Sequence, residues 1–222
     1  DILDSSKIEA GKISLEHRPV DLQNFANRIY KSFEVAVASK GLNLRNKLDK
    51  KLPKTVITDP FRLSQIVTNL VGNAIKFTEK GQITLSIRLK ESNQNEVLVR
   101  FEVADTGIGI EKEKQVEIFK EFTQADAAIT RKYSGTGLGL AISKRLIGLL
   151  GGDIKIKSKP NEGSTFFFDL WLPISQQEEI GLKAKSTDED TLAKPLKNTN
   201  ILVVEDNEIN KLIAQKFLVK WG

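Results

Sequence analysis

The stretch DPFRLSQIVTNLVGNAIKFT, residues 59–78, carries the strongest structural signal in the sequence. Its apolar side chains recur at helical spacing, about 100° apart per residue, and therefore share one side of a helix. That side holds Leu63, Ile66, Val67, Leu70, Ala74 and Phe77. The opposite side carries a polar stripe roughly 80° wide. The stripe consists of Arg62, Gln65, Asn69, Asn73 and Lys76.

This polar stripe has an unusual composition. A helix that only packs usually places acids beside bases on its exposed side, whereas the stripe holds three amides between two bases and no carboxylate. Amides donate and accept hydrogen bonds and lysine is positively charged, so the stripe suits a polyanion that carries a metal ion. Asn73 can offer its carbonyl oxygen to Mg²⁺, which keeps water and phosphate oxygens as its other ligands. A hydrogen-bonded exposed face without a ligand is the alternative for this helix taken alone.

A glycine loop follows a predicted strand at ADTGIGI, residues 104–110. The carboxylate of Asp105 can only accept hydrogen bonds. At the base of a cavity it would favour the exocyclic amine of adenine over the carbonyl that guanine carries there. Gly107 and Gly109 allow a ligand to approach the backbone closely. A tight turn with no ligand is the alternative for this loop alone.

A second glycine loop, SGTGLGL at residues 134–140, leads into an apolar helix predicted from about Thr136 to Leu150. Its backbone N–H groups, together with the positive end of the helix dipole, can bind a phosphate. Arg131 and Lys132 precede the loop in a small, polar stretch that can close as a lid over phosphates. A glycine-rich helix start that serves packing alone is the alternative.

The remaining pattern predicts an α/β domain followed by a linker. Asp21 can cap a helix over residues 22–39, and the alternating stretches QITLSIRLK and EVLVRFEVA form a hairpin. LNLRNKL, TVIT, GDIKIKS and STFFFDLWL are further strand candidates, and in the turn GSTF the Thr165 hydroxyl can support a buried aspartate. Residues 175–199 have no aromatic residue, five acids and four lysines, which is typical of a linker. NILVVEDNEIN then predicts a strand, a turn and a helix.

Composition excludes several classes of function. The 222 residues contain no Cys and one His, which excludes disulfides, thiolate nucleophiles and cysteine–zinc sites and disfavours a Ser-His-Asp hydrolase. A net charge of +5, from 34 Lys plus Arg against 29 Asp plus Glu, is weak support for nucleic-acid binding. No apolar run approaches the roughly 18 residues of a membrane span. The chain begins on Asp1, and we expect it to be a piece of a longer protein.

The order of these motifs is more specific than any one of them. DPFRLSQIVTNLVGNAIKFT, DTGIGI, IFKEF, GTGLGL and GSTFFF resemble the N, G1, F and G2 boxes and the final glycine motif of the catalytic ATP-binding domain of sensor histidine kinases. The resemblance runs from about Asp59 to Leu172. A dinucleotide site would need GxGxxG between a strand and a helix, and a Walker A loop would need GxxxxGK[ST]. The sequence has neither arrangement.

The resemblance implies a fold and a set of site residues. The fold is a two-layer α/β sandwich of the histidine kinase, gyrase and Hsp90 type, with a mixed sheet and helices on one face. Asn73 would bind Mg²⁺, Asn69 and Lys76 would line the phosphates, Phe77 would stack on adenine and Asp105 would recognise its amine. For Phe77 a core position is the alternative. The remaining nucleotide contacts would come from Gly107, Gly109, Ile110, Arg131, Lys132, Gly135, Thr136, Gly137, Leu138, Gly139 and Thr165, with Phe119 and Phe122 anchoring the lid.

The helix also distinguishes between activities. ATP-hydrolysing relatives of the fold carry a glutamate one turn before the metal-binding Asn, whereas this chain has Asn69, which cannot act as a general base at neutral pH. Transfer to histidine needs little base, because a neutral imidazole is already nucleophilic near pH 7. We therefore expect an ATP-dependent protein-histidine kinase. A catalytically silent nucleotide-binding regulatory module and, less favoured, a hydrolysing ATPase are the alternatives.

The two ends resemble neighbouring domains of a hybrid sensor kinase. Residues 1–20 resemble the end of the dimerisation helix bundle and its exit segment, before an ATP-binding domain at 21–174. Pro19 follows Arg18 and disfavours a helix around His17, so the acceptor histidine should lie upstream. Residues 200–222 resemble the beginning of a receiver domain, with Glu205 and Asp206 as its metal-binding acid pair.

These resemblances also imply partners and a location. The kinase domain would act on its own dimerisation domain and pass the phosphoryl group to a receiver, in a homodimer and without nucleic acid. We expect a cytoplasmic location, with membrane attachment only through upstream segments.

Overall fold

The computed structural model describes residues 14–120 and 137–175, together with Leu218. Within these residues the chain forms seven strands, three helices and two short 3-10 turns. In chain order they are β1 (Arg18–Asp21), α1 (Leu22–Ser39), β2 (Asn43–Leu48), β3 (Thr55–Thr58), α2 (Pro60–Phe77), β4 (Gln82–Ser92), β5 (Glu96–Asp105), the 3-10 turns Lys112–Lys114 and Glu117–Phe119, α3 (Gly139–Leu149), β6 (Ile154–Lys159) and β7 (Gly163–Pro173).

Five strands form the main sheet in the order β2-β4-β5-β7-β6. The β2–β4 pair is parallel and the other three pairs are antiparallel, so the sheet is mixed, as predicted. The hairpin predicted from the two alternating stretches is β4–β5, in which Ile83 lies opposite Asp105. This register brings Asp105 to the same end of the sheet as the beginning of β7, where Ala104 lies opposite Thr165.

The helix α2 forms where its sequence predicts it, and both of its ends are satisfied. Asp59 Oδ1 accepts hydrogen bonds from the backbone N–H groups of Phe61 and Arg62, both at 2.9 Å. At the other end the ammonium of Lys40 donates to the carbonyl oxygen of Ile75 at 2.8 Å. A cation at this end also interacts favourably with the helix dipole.

One hydrophobic core lies between the sheet and the three helices. Phe101 of β5 is at its centre, edge-on to Phe25 of α1 at 6.5 Å and stacked on Phe168 of β7 at 5.2 Å between ring centroids. Each buried ring of this kind contributes on the order of 1.5–3 kcal/mol. The predicted apolar side of α2 is buried in the same core, except that Phe77 at its end is half-buried.

Among the described residues, the other face of the sheet carries charged side chains and no second layer of helices. Arg100 donates two hydrogen bonds to Asp169, both at 2.7 Å, and its guanidinium lies 4.5 Å from the centroid of Phe167. The Arg100 guanidinium holds the pKa of Asp169 below its usual value, chiefly through these hydrogen bonds. Arg88 and Glu102 form a second ion pair at 2.7 Å. The architecture is therefore the two-layer α/β sandwich that the sequence predicts.

A small second sheet joins the two ends of this domain. Strand β1 pairs antiparallel with β3. On the other edge of β3, Val56 pairs with Ile174, and the N–H of Ser175 donates to the carbonyl of Thr55 at 3.0 Å. The segment that leads into the domain and the segment that leaves it are therefore both held by β3, one residue before the cap of α2.

The chain divides into two units, residues 1–179 and 180–222, and the elements above belong to the first. The helical turns predicted before residue 13, the linker and the receiver-like segment lie outside the described residues, apart from Ser175 and Leu218. The helix predicted from about Thr136 is described from Gly139 onward. Among the helices that the structure describes, none combines the length and hydropathy of a bilayer crossing.

Candidate functional site

The first side of the candidate site is the contact between α2 and α3. Asn69 Nδ2 donates to the hydroxyl of Ser143 at 2.8 Å, and Ser143 is buried. The backbone of Gly139 lies directly against the Asn69 carboxamide, so that a Cβ at this position would collide with Asn69 Oδ1. The structure therefore brings the predicted amide stripe together with the end of the second glycine loop. A side chain at position 139 would therefore displace the Asn69 carboxamide from its present place.

Asn73 and Lys76 continue the stripe toward the end of α2. Asn73 is half-buried and makes no side-chain hydrogen bond with the described residues. Burial lowers the pKa of Lys76, whose ammonium lies 5.1 Å from the centroid of the Phe77 ring. A partly desolvated ammonium gains from a nearby anion, which would restore the stability of its charged form.

Asp105 is the last residue of β5, the central strand, and lies at the end of the sheet where the following loop contacts α2. Its Oδ1 accepts hydrogen bonds from the backbone N–H groups of Gly107 at 2.8 Å and Ser164 at 3.3 Å. Burial raises the pKa of the Asp105 carboxyl above its usual value, while these two hydrogen bonds act in the opposite direction. The carboxylate is thus held in a fixed orientation by the protein's own backbone.

The loop after Asp105 touches the end of α2. The N–H of Ile108 donates to the carbonyl of Phe77 at 3.3 Å. A Cβ at position 107 would collide with the same carbonyl, so Gly107 is needed for this approach. Asn73, the metal-binding amide that the sequence predicts, lies one helical turn before Phe77 on the same helix. The Asp105 loop and the Asn73 end of α2 are thus joined through Phe77.

The structure separates Thr165 from Asp105. Thr165 lies opposite Ala104, and Phe166 lies opposite Val103 on the buried side of the sheet. Because successive side chains of a strand point to opposite faces, the Thr165 side chain is on the face away from Asp105. The contact that the sequence assigned to the Thr165 hydroxyl is made by the backbone N–H of the neighbouring Ser164.

The remaining predicted residues are only partly covered by the structure. Phe119 packs edge-on against Phe166 at 6.3 Å, and Gly109 lies against the carbonyl of Lys159. The N–H of Ile110 donates to the hydroxyl of Ser158 at 2.8 Å. Gly137 and the buried Leu138 directly precede α3. The others lie outside the described residues: Phe122, Arg131, Lys132, Gly135, Thr136, Glu205 and Asp206.

Sequence reasoning missed four polar residues that shape this site: Gln115, Ser143, Ser158 and Ser164. Only Ser143 had a usable signal. It lies four residues after Gly139 and so on the same side of the predicted helix. The other three reach the site through pairings of distant segments, which periodicity does not predict.

The donor set suits a metal ion that arrives with a phosphate ligand. The described residues contain no group of three or more His, Cys, Asp or Glu that could hold a metal ion by themselves. Mg²⁺ commonly takes one or two protein oxygens and completes its shell with water and substrate phosphates. The carboxamide oxygen of Asn73, with no partner in the described part of the chain, fits that role.

Three comparisons show which known proteins the chain is similar to. The family model of histidine kinase-, DNA gyrase B- and HSP90-like ATPases matches residues 58–176. The signal transduction histidine-protein kinase BarA of Escherichia coli is 44% identical over 175 residues, which are 79% of this chain and 19% of BarA. The sensor histidine kinase GacS of Pseudomonas protegens is 39% identical over 222 residues, which are 100% of this chain and 23% of GacS.

A solved structure shows the same likeness over the full chain. The crystal structure of full-length ShkA in complex with AMPPNP is similar with a TM-score of 0.69 and 28% identity. The similarity covers 100% of this chain and 42% of the ShkA chain. This chain therefore spans only a fraction of each relative.

Proposed function

Since the chain belongs to the family of histidine kinase-, DNA gyrase B- and HSP90-like ATPases, we propose that it is the catalytic domain of a hybrid sensor histidine kinase. It would bind ATP with Mg²⁺ and transfer the γ-phosphoryl group to a histidine of a dimerisation domain. One observation carries this proposal. Phe77, at the end of α2, is joined to the Asp105 loop through its hydrogen bond with Ile108, Asn73 lies one helical turn before Phe77, and residue 69 of the helix is an amide rather than a carboxylate.

The proposed adenine site is at the end of β5. Asp105 Oδ1 is held by two backbone N–H groups, which leaves the second carboxylate oxygen, Oδ2, to accept a hydrogen bond from the exocyclic amine. Guanine would present a carbonyl oxygen to this acceptor and be repelled. The half-buried ring of Phe77 is next to this loop and would form the wall of the adenine site.

The proposed phosphate site lies along α2 and the start of α3. Asn73 would contribute a ligand to Mg²⁺, and Lys76 would neutralise phosphate charge from the end of the same helix. Mg²⁺ would supply charge neutralisation at the phosphates, which is a main component of phosphoryl-transfer catalysis. Asn69, fixed by Ser143, would hold its carboxamide against the phosphates from the α3 side. Arg131 and Lys132 are proposed as further phosphate contacts.

The relatives support transfer rather than hydrolysis. BarA and GacS are named histidine kinases. Asn69 cannot remove a proton from water at neutral pH, so the described residues of α2 offer no general base for ATP hydrolysis. We propose further that residues 1–20, 175–199 and 200–222 are, respectively, the end of a dimerisation bundle, a linker and the beginning of a receiver. A homodimer, phosphorelay to a receiver and a cytoplasmic location belong to the same proposal.

The proposal is tested by titration and by transfer in trans. Calorimetric titration of the chain with ATP and GTP, each with Mg²⁺, should show binding of ATP and at least tenfold weaker binding of GTP. Labelled ATP, the chain and a separately prepared dimerisation domain with its acceptor histidine should then yield phosphohistidine on that domain. The chain's own His17, exposed beside β1, should stay unlabelled, and the variant His17→Ala should transfer equally well.

The outcomes separate the alternatives. ATP binding without any transfer would indicate a regulatory module. Phosphate release faster than histidine labelling would indicate a hydrolysing ATPase. The variant Asn73→Ala is the matched negative control, since it removes the proposed Mg²⁺ ligand from the half-buried stripe and leaves the buried side of α2 unchanged.

A further inference from the structure

The turn between β6 and β7 is bonded to the loop that follows Asp105. The N–H of Asn161 donates to the carbonyl of Ile108 at 2.7 Å. The N–H of Ile110 donates to the hydroxyl of Ser158, at the end of β6, at 2.8 Å. Two segments that are about 50 residues apart in sequence thus hold one another directly beside the proposed adenine site.

Ser158 is the centre of this contact. Besides Ile110, its hydroxyl lies 3.0 Å from the carbonyl oxygen of Gly163 and 2.9 Å from the hydroxyl of Ser164. A hydroxyl donates one hydrogen bond and can accept two. The Ile110 N–H can only donate and the Gly163 carbonyl can only accept, so Ser158 donates to Gly163 and the Ser164 hydroxyl donates to Ser158. This assignment uses the full capacity of the Ser158 hydroxyl.

Gln115 supports the same contact from the other side. Its Nε2 donates to the carbonyl of Ile110 at 2.9 Å and to the carbonyl of Ser158 at 3.0 Å. Both backbone groups of Ile110 are therefore bonded, the N–H to the side chain of Ser158 and the carbonyl to Gln115. We call Ser158 and Gln115 the clasp.

We propose that the clasp positions Asp105 for adenine recognition, so that Ser158 and Gln115 are positioning residues for nucleotide specificity. The inference rests on the proposed function. Asp105 is oriented by the N–H groups of Gly107 and Ser164. The clasp fixes the segments that carry both donors, since it binds Ile110 on one side and Gly163 with Ser164 on the other.

Loss of the clasp should reduce the preference for ATP over GTP more than it reduces nucleotide affinity in general. The variant Ser158→Ala leaves the Ile110 N–H and the Gly163 carbonyl without this partner, and the two segments can move apart. A small displacement of a directional acceptor weakens a hydrogen bond steeply. The clasp lies outside α2, which carries the proposed phosphate-binding residues, so binding of the triphosphate should persist.

The experiment is a double-mutant cycle with two nucleotides. Calorimetric affinities for ATP and GTP with Mg²⁺ are measured for the unchanged chain, Ser158→Ala, Asp105→Asn and the double variant. We expect Ser158→Ala to weaken ATP binding about tenfold and GTP binding by less than about twofold. In the Asp105→Asn background the same change should have almost no further effect on ATP, because the two residues act through one contact.

Conservative variants keep the test independent of folding. Ser158→Thr retains the hydroxyl in a strand position and should preserve the ATP preference, whereas Gln115→Ala should lower it in the same direction as Ser158→Ala by a smaller factor. Equal weakening of ATP and GTP by Ser158→Ala, or a full tenfold effect in the Asp105→Asn background, would overturn the positioning role. If Asp105→Asn itself left ATP affinity unchanged, the adenine site of the proposed function would be wrong, whatever Ser158 did.

Discussion

Asp105 combines a buried carboxyl group, which is unfavourable when ionised, with a proposed role in adenine recognition. Burial raises the pKa of its carboxyl, so the native state binds this proton more tightly than the unfolded chain does. The contribution of Asp105 to stability therefore falls as the pH rises from the usual Asp value of 3.8 through the raised native pKa. At neutral pH the ionised carboxylate destabilises the fold, but it supplies the acceptor that the proposed adenine site needs.

The variant Asp105→Asn should therefore stabilise the fold at neutral pH while weakening ATP binding. Asparagine keeps an oxygen for the Gly107 and Ser164 N–H groups and has no charge to desolvate. We expect a higher free energy of unfolding at pH 7, with the gain shrinking as the pH falls toward 3.8. ATP affinity should fall about tenfold or more.

Urea unfolding at several pH values and calorimetric titration measure the two effects. The exposed Asp153, changed to Asn, is the control and should alter neither quantity. A variant Asp105→Asn that lost stability at pH 7 while keeping its ATP affinity would contradict both the desolvation argument and the assigned role.

A second prediction for a single residue concerns the hydrogen bond between Ser143 and Asn69. The variant Ser143→Ala removes the hydroxyl that holds the Asn69 carboxamide, so ATP binding should weaken several-fold and the free energy of unfolding should fall by about 1 kcal/mol. Ser86, another buried serine, lies on the opposite face of the sheet and provides the matched control. If Ser86→Ala and Ser143→Ala weakened ATP binding equally, the contact with Asn69 would have no specific part in nucleotide binding.

At the scale of elements, α2 depends on an aspartate that serves two segments. Asp59 Oδ1 caps the helix, and Asp59 Oδ2 accepts the backbone N–H of Glu16 at 3.0 Å, in the segment that leads into the domain. Asparagine has one acceptor oxygen, so it can accept either from the N–H groups at the helix start or from the Glu16 N–H, but not from both. Asp59→Asn should therefore lose about 1 kcal/mol of stability, and Asp59→Ala, which loses the cap as well, about 2–3 kcal/mol.

Urea unfolding of both variants tests this ordering. Asp153→Asn is again the control, because it removes the charge of an exposed side chain that makes no hydrogen bond or ion pair with the described residues. Equal losses for Asp59→Asn and Asp59→Ala would mean that the Glu16 contact and the cap are not separate contributions.

The elements themselves were largely predictable because their signals are local. The spacing of Leu63, Leu70 and Ala74 predicted both sides of α2, and alternation predicted the β4–β5 hairpin. The sequence alone could not predict the register between neighbouring strands, which decides which side chains share a face of the sheet. Whether Ser164 or Thr165 faces Asp105 is decided by the pairing of Ala104 with Thr165, and no local pattern encodes that register. The clasp was missed for the same reason.

At the scale of the whole molecule, β3 holds both the segment that leads into the domain and the segment that leaves it. Val56 pairs with Val20 on one edge and with Ile174 on the other. The next element after β3 is α2, which begins at the Asp59 cap and ends at the proposed nucleotide site. A displacement of either of these two segments would therefore reach α2 through one strand of four residues, three of them buried.

This arrangement makes a prediction about where the ATP-binding domain ends. Ile174 donates its N–H to the carbonyl of Asn95 at 2.8 Å, and Ser175 donates to Thr55 at 3.0 Å. A chain that ends at Ser175 keeps both bonds and should unfold in urea with the same free energy as the full chain. A chain that ends at Pro173 loses both bonds and the apolar contact of Ile174 with the core, and it should be less stable by about 2–3 kcal/mol.

The two shortened chains differ only by Ile174 and Ser175, so a difference in their stability is due to these two residues. Calorimetric titration with ATP should show the same affinity for the chain ending at Ser175 as for the full chain, since the described site residues precede position 165. If the chain ending at Ser175 were as unstable as the shorter one, residues beyond 175 would have to contribute to the core. The boundary at residue 174 would then have to move into the segment that the composition assigns to a linker.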